Sequence, residues 1–371
     1  MTTSYLSMSA TSRVRPLIVL VLVLIVASAA CQSVACGRVD NPDGWSGGVV
    51  VDDVIYTGSM DGTLLALEIA TGKPIWEFDS LQGDDRRHAF YGDPVVVDDK
   101  VYAAGYDGHL YAVSRIDGST IWEVPVGAEE EPIVGGAGYD DGVVVVGSSD
   151  GSVYAFDAES GTEMWSFATD SMVWTTPLVD EGVVYFGSLD KHVYAVALAG
   201  GNEVWKVPVE GAVTAPPAKA GNRIFVGAFD GVFYALDAST GVEEWSFRGA
   251  TGWYWARPLV TGTAVYAASL DGNVYALSSV TGEQIWSEPL ETGDRIIGTP
   301  AAVDDFLVVA SDDGIVWIAS LADRGNQRKC EIDHRLRTNV VGSDGSIYLG
   351  AWDHTVRAFE INGFGVLNTR W

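Results

Sequence analysis

Short aliphatic and aromatic runs alternate with polar or glycine-containing turns along nearly the whole chain, and helix-period spacing is absent. Residues 95–124 show the unit. Val95, Val96 and Val97 predict a buried inner strand, which Asp98-Asp99 turns into a second strand over 101–105. Asp107-Gly108 predicts a tight hairpin, because Asp-Gly tolerates the positive φ of a primed turn. A third strand follows over 110–113, Gly118 closes the next turn, and an outer strand runs over 120–124.

The same unit recurs as MDGTLLALEIATGKPIWEF, SDGSVYAFDAESGTEMWSF, FDGVFYALDASTGVEEWSF and further copies. Its anchoring aspartates are Asp61, Asp107, Asp150, Asp190, Asp230, Asp271, Asp313 and Asp353, spaced by 46, 43, 40, 40, 41, 42 and 40 residues. A period near forty with four short strands per unit predicts an all-β fold, a single eight-bladed β-propeller with four antiparallel strands per blade.

Repeated positions read as packing. Three before each anchor stands Gly or Ala (Gly58, Ala104, Gly147, Gly187, Gly227, Ala268, Ala310, Gly350), which lets neighbouring sheets approach. Fifteen after it, six units carry Trp: Trp76, Trp122, Trp165, Trp205, Trp245 and Trp286. These predict a girdle packed between adjacent sheets rather than a ligand site. Unit seven breaks the pattern, with Arg328 in place of Trp and Gly325 one residue late. Unit eight has Asn368 at that position, although Trp371 is near. Terminal repeats are often atypical.

The Ala…Asp-x-x-Thr-Gly-x-x-x-x-Trp pattern, complete in Ala235, Asp237, Thr240, Gly241 and Trp245, resembles the quinoprotein-type, or PQQ-like, β-propeller family over nearly all of the chain after residue 46. Two branches of that family differ in what they imply. The quinone-dependent dehydrogenases resemble one another in a vicinal Cys pair and a carboxylate-lined calcium site, but no Cys-Cys occurs here and the chain is much shorter. The other branch is the BamB-type lipoprotein of outer-membrane β-barrel assembly, a non-catalytic scaffold. Length, unit count and N-terminus resemble this branch.

Arg13 and Arg15 precede an apolar run over 17–30 that is short for a membrane span and ends in small residues before Cys31. This resembles a bacterial lipoprotein signal, with Ser28 where an aliphatic residue is usual and Cys31 as the lipidation site. The expected domains are a signal peptide over 1–30, a tether or closing segment over 31–46, and the propeller over 47–371. The expected location is outside the cytoplasm, anchored to a membrane. Cys36 and Cys330 could pair in an oxidising compartment; sequence leaves this open. With 22 Lys and Arg against 50 Asp and Glu, the net charge is −28, which repels phosphate backbones and argues against nucleic acid.

No HExxH, CxxC, Walker loop or GxSxG occurs, and His109, His192 and His354 sit beside anchor aspartates as turn residues. The reading is therefore of no enzyme, no catalytic residue, no cofactor and no metal. Loops on the two faces differ. Acid pairs at Asp52-Asp53, Asp98-Asp99, Asp140-Asp141, Asp180-Glu181 and Asp304-Asp305 ring one face. On the other, the position sixteen before each anchor is Trp45, Tyr91, Val134, Trp174, Thr214, Trp255, Ile297 and Arg337, while the residue before it is mostly apolar. Alternation then turns the first set toward the channel mouth and the second into the core. Arg86, Arg87, Arg257, Arg295 and Arg337 lie in the same loops. Aromatics with Arg on loops are the material of binding hot spots. Trp45, Tyr91, Trp174, Trp255 and these five arginines are the candidate site, for a protein partner in the cell envelope bound by a monomeric, lipid-anchored scaffold. The competing reading is a sugar or quinone binder that stacks its ligand on Trp174 and Trp255.

Overall fold

The runs rich in Val, Tyr and Ala pair with their immediate successors because each turn between them is too short for any other partner. In the computed structural model, which describes residues 46–80, 88–352, 355–363, 365 and 367–371, this gives eight sheets of four antiparallel strands, each built from consecutive strands. The blades span residues 48–79, 95–125, 138–168, 178–208, 218–247, 259–291, 301–331 and 341–369. In blade 2 the strands are Val95–Val97, Lys100–Ala104, His109–Ser114 and Thr120–Pro125, within a residue or two of expectation. The eight-bladed propeller read from the repeat is the fold. Cys31, Cys36, Trp45, Arg86, Arg87 and His354, and with them the signal, the lipidation site and the possible thiol pair, lie outside the described residues.

Burial follows the blade interfaces. Eight apolar clusters each join two neighbouring blades: Leu64, Phe90 and Tyr111 between blades 1 and 2, for example, and Val193, Val213 and Tyr234 between blades 4 and 5. The small residue before each anchor sits at this junction. A Cβ on Gly187 would come 2.1 Å from Val213 Cγ1 of the next blade, so only hydrogen fits there. The Trp girdle bridges the same gap. Each indole N–H donates to a carbonyl of the following blade, from 2.7 Å (Trp165 to Leu198) to 3.3 Å (Trp286 to Leu321).

Ring closure uses the same device in a place the repeat did not give. Trp371, 4 % exposed, donates from Nε1 to Ile69 O of blade 1 at 2.8 Å and packs against Gly72. It occupies the girdle position that Asn368 leaves open. Thr338 Oγ1 also donates to Ser46 O, tying blade 8 to the segment that enters blade 1.

Three expectations need correction. The Asp-Gly hairpins are three-residue connections in which only Gly has positive φ: Gly108 lies at 82°, and its N–H donates to Gly105 O at 3.1 Å. A type I turn closed by a left-handed Gly fits these strands, and Asp instead caps the turn through its side chain. Asp107 Oδ1 accepts from His109 N at 3.1 Å and Oδ2 from Tyr111 OH at 2.6 Å. The Val95–Val97 strand is only half-buried, because inner strands face the channel. The outer strand of blade 6 shrinks to Leu290–Glu291 after a single bridge at Gln284, since Pro289 has no N–H to give to a ladder. In blade 7, Arg324 takes a left-handed φ of 62° where other units have Gly, a cost of about 1 kcal/mol. Its guanidinium reaches back to Pro289 O and Glu288 of blade 6.

Candidate functional site

The segments that enter the inner strands cross one face of the ring with side chains alternating inward and outward. Phe90, Ile133, Val173, Val213, Tyr254, Ile296 and Leu336 turn into the blade interfaces, each at most 1 % exposed. The next residue in every described unit points the other way. Tyr91, Val134, Trp174, Thr214, Trp255, Ile297 and Arg337 all line one cavity of about 440 Å³ at the mouth of the channel. Two residues further along, Asp93, Thr176, Pro216, Arg257, Thr299 and Asn339 form a deeper ring in the same cavity.

Six of the nine predicted residues are thus brought together: Tyr91, Trp174, Trp255, Arg257, Arg295 and Arg337. Trp45, Arg86 and Arg87 lie outside the described residues.

The aromatic members come from blades 2, 4 and 6. Trp174 is fixed by its indole N–H to Ser149 Oγ at 3.0 Å. Trp255 stacks on Phe229 at 5.9 Å, which in turn stacks on Trp253 at 4.8 Å. Trp253 is 53 % exposed, so an aromatic ladder leads from the outer rim into the cavity. Tyr91 meets Tyr106 edge-on at 5.1 Å.

The cationic members come from blades 6, 7 and 8. Arg337 Nε and Nη2 donate to the two oxygens of Asp312 at 2.7 and 3.2 Å, and the guanidinium lies 4.6 Å from the ring centre of Trp352. Arg295 Nη2 donates to the same carboxylate at 2.8 Å. Burial works to raise the Asp312 pKa, but the hydrogen bond from Arg337 and the charges of Arg337, Arg335 and Arg295 outweigh it, so the carboxyl is held below its usual range.

Arg257 differs. It makes no ion pair or hydrogen bond with the described residues, and its Nε is buried without a partner. Burial works against its charge, and Asp93 partly restores it. Asp93 itself is raised above the usual carboxylate range by burial, opposed by the charge of Arg257 and the hydrogen bond from Asn339. Asn339 Nδ2 donates to both Asp93 oxygens at 3.0 and 2.9 Å.

Sequence reasoning missed Asp312, Tyr106, Phe229, Leu270 and Trp352, the residues immediately before the anchors, and the deeper ring with Asp93 and Asn339. Both positions vary from unit to unit. That is the same signal that marked the sixteen-back position.

On the opposite face the acid turns are partly neutralised: Arg115 pairs with Asp52 at 2.6 Å, Lys100 with Asp99 at 3.1 Å, and Lys219 with Asp180 and Glu181. Among the described residues no group of three or more His, Cys, Asp or Glu is placed to hold a metal ion. What the mouth can do chemically is stack flat or apolar groups and attract negative charge.

A family model described as outer membrane protein assembly factor BamB matches residues 30–134, 107–197 and 189–329. The curated proteins give no match. Among solved structures, BamB from Moraxella catarrhalis has a TM-score of 0.74 at 20 % identity over 89 % of this chain and 97 % of that one. The computationally designed protein Ika8 has a TM-score of 0.74 at 21 % identity over 87 % of this chain and 98 % of that one. At these identities the two structures share the fold with the chain.

Proposed function

The chain belongs to the outer membrane protein assembly factor BamB family, and from that we propose that it is a non-catalytic scaffold outside the cytoplasm, tethered to a membrane through Cys31. In this reading it binds an envelope protein through the face that carries the channel mouth, in the manner of an assembly factor for outer-membrane proteins. One observation carries the reading. The sixteen-back position holds six residue types over eight blades, yet all seven described side chains face one cavity and include three aromatics and an arginine. A purely architectural position would repeat, as the girdle Trp does.

A second reading, a sugar or quinone binder, draws on the cavity of about 440 Å³, which lies in the range of small-molecule sites. The two part on one measurement. Full-length tagged protein is captured from envelopes of its host after crosslinking, alongside Trp174→Ala and Trp255→Ala. Each variant should stay within about 1 kcal/mol of wild-type stability and lose about 2 kcal/mol of partner binding. Trp205→Ala, in the girdle, should instead destabilise by about 3–5 kcal/mol. Undiminished capture by both mouth variants would refute the proposed face. Saturable quenching of Trp fluorescence by a sugar or quinone would favour the second reading. Cys31→Ser, fractionated in parallel, should leave the membrane pellet if the tether is a lipid on that sulfur.

A further inference from the structure

The protein is strongly acidic, yet the cavity at its channel mouth is lined by more arginines than carboxylates. Three guanidinium groups, Arg257, Arg295 and Arg337, face two carboxylates, Asp93 and Asp312. Arg295 and Arg337 are satisfied by Asp312. Arg257 has no ion-pair or hydrogen-bond partner among the described residues, and its Nε is buried without one. Asp93 is the carboxylate that acts on it, but the two do not form an ion pair, and both Asp93 oxygens are taken by Asn339. A guanidinium stays charged in proteins and carries five donors in a planar fork. Burying the Arg257 Nε without an acceptor is costly, and an anion at the site would offset that cost.

Among these five groups the surplus is a single positive charge, carried by Arg257. The planar fork suits a carboxylate. Beside it stands an apolar wall, Trp174 and Trp255, continued outward by Phe229 and the exposed Trp253. This ladder runs past the cavity onto the rim, farther than a small enclosed molecule would use.

We propose that the channel mouth receives an extended segment of the protein partner, whose single acidic side chain is taken by Arg257 while neighbouring apolar side chains lie along Trp255 and Trp174. The proposal rests on the scaffold reading above and adds the chemistry that the partner must present. Asp93 adds a dependence on pH. As its raised carboxyl takes up a proton, it stops competing for the field of Arg257, so affinity should rise on mild acidification while the ligand carboxylate remains ionised.

The test uses the folded propeller and a dye-labelled, end-capped pentapeptide with a central aspartate between two leucines, followed by fluorescence anisotropy. Its asparagine counterpart serves as control. Wild type should bind the aspartate peptide saturably and the asparagine peptide at least about tenfold more weakly, the step expected from losing one charge-assisted contact. Arg257→Met should bind both peptides alike with a thermal midpoint no lower than that of wild type, and Arg257→Lys should keep a reduced preference. Equal affinity of wild type for the two peptides, or an undiminished preference in Arg257→Met, would overturn the proposal. Two competitors locate the ligand source. Free isovalerate that displaces the peptide at the peptide's own concentration would assign the site to a small carboxylate instead. Inorganic phosphate that displaces it more effectively than isovalerate would overturn the carboxylate assignment. If partner capture depends on Trp174 and Trp255 while the acidic peptide shows no preference, the scaffold reading stands and this proposal fails.

Discussion

Ring closure can be tested at Trp371. Trp371→Ala leaves the backbone in place, so Trp371 O still accepts from Ala358 N at 3.0 Å, and it removes only the indole. That indole is 4 % exposed and sits in the cluster that joins Ile55, Leu65, Leu67 and Ile69 of blade 1 to Tyr348, Val356 and Ala358 of blade 8. Large-to-small changes of a buried Trp cost about 3–5 kcal/mol. The Ile69 carbonyl, 2.8 Å from Nε1, loses its donor, worth about 1 kcal/mol if water does not replace it. The expected loss is therefore about 3–5 kcal/mol in urea unfolding. Trp371→Phe should restore most of it, lacking only the N–H. Because blades 8 and 1 are not consecutive in the chain, the damage should be local. Amides of blades 1 and 8 should exchange faster while those of blades 4 and 5 hold. A loss under about 1 kcal/mol, or faster exchange spread evenly around the ring, would refute closure by this side chain.

The outer strands of blades 6 and 7, one cut to Leu290–Glu291 and the other lacking its Trp, should exchange before Glu243–Phe247 of blade 5, and equal protection would contradict this. Two carboxylates should act on stability with opposite signs. Asp312, lowered in the folded state, contributes stability above the ordinary carboxylate range and loses it as pH falls through its folded value, so urea midpoints of wild type and Asp312→Asn should converge below about pH 4. Asp93, raised in the folded state, binds its proton more tightly when folded, so wild type should lose stability as pH rises through that raised value while Asp93→Asn does not; parallel pH profiles would refute the assignment.

The fold was legible because the repeat presents the same unit eight times, and each unit states its strands locally through Val, Tyr and Gly. The anchor aspartates, the small residues before them and the girdle Trp could be placed without coordinates, since each role is fixed by its own neighbours. What was not legible depends on a second blade. The partner of Arg337 is Asp312, whose place at the mouth appears only when hairpin tips are set beside entering loops. The girdle role of Trp371 needs blade 1 to be brought round to blade 8. The turn type was misread because Asp-Gly fits both a primed turn and a type I turn closed by left-handed Gly, and the capping bonds of Asp107 decide between them. At the site, alternation along the entering loops separated Trp174 and Trp255 from Val173 and Tyr254 correctly, while the isolation of Arg257 needed the position of every neighbouring carboxylate.

Each blade holds only consecutive strands, so seven of the eight seams join stretches that follow one another along the chain. Those seams can form in order during synthesis, each as soon as the next blade emerges. The eighth is of another kind. It joins the first blade to the eighth, and its indole, that of Trp371, lies 302 residues beyond the Ile69 carbonyl it meets. Until Trp371 has been synthesised, the growing protein is an open arc with an apolar blade surface at either end, and those two surfaces must be shielded until that side chain brings them together.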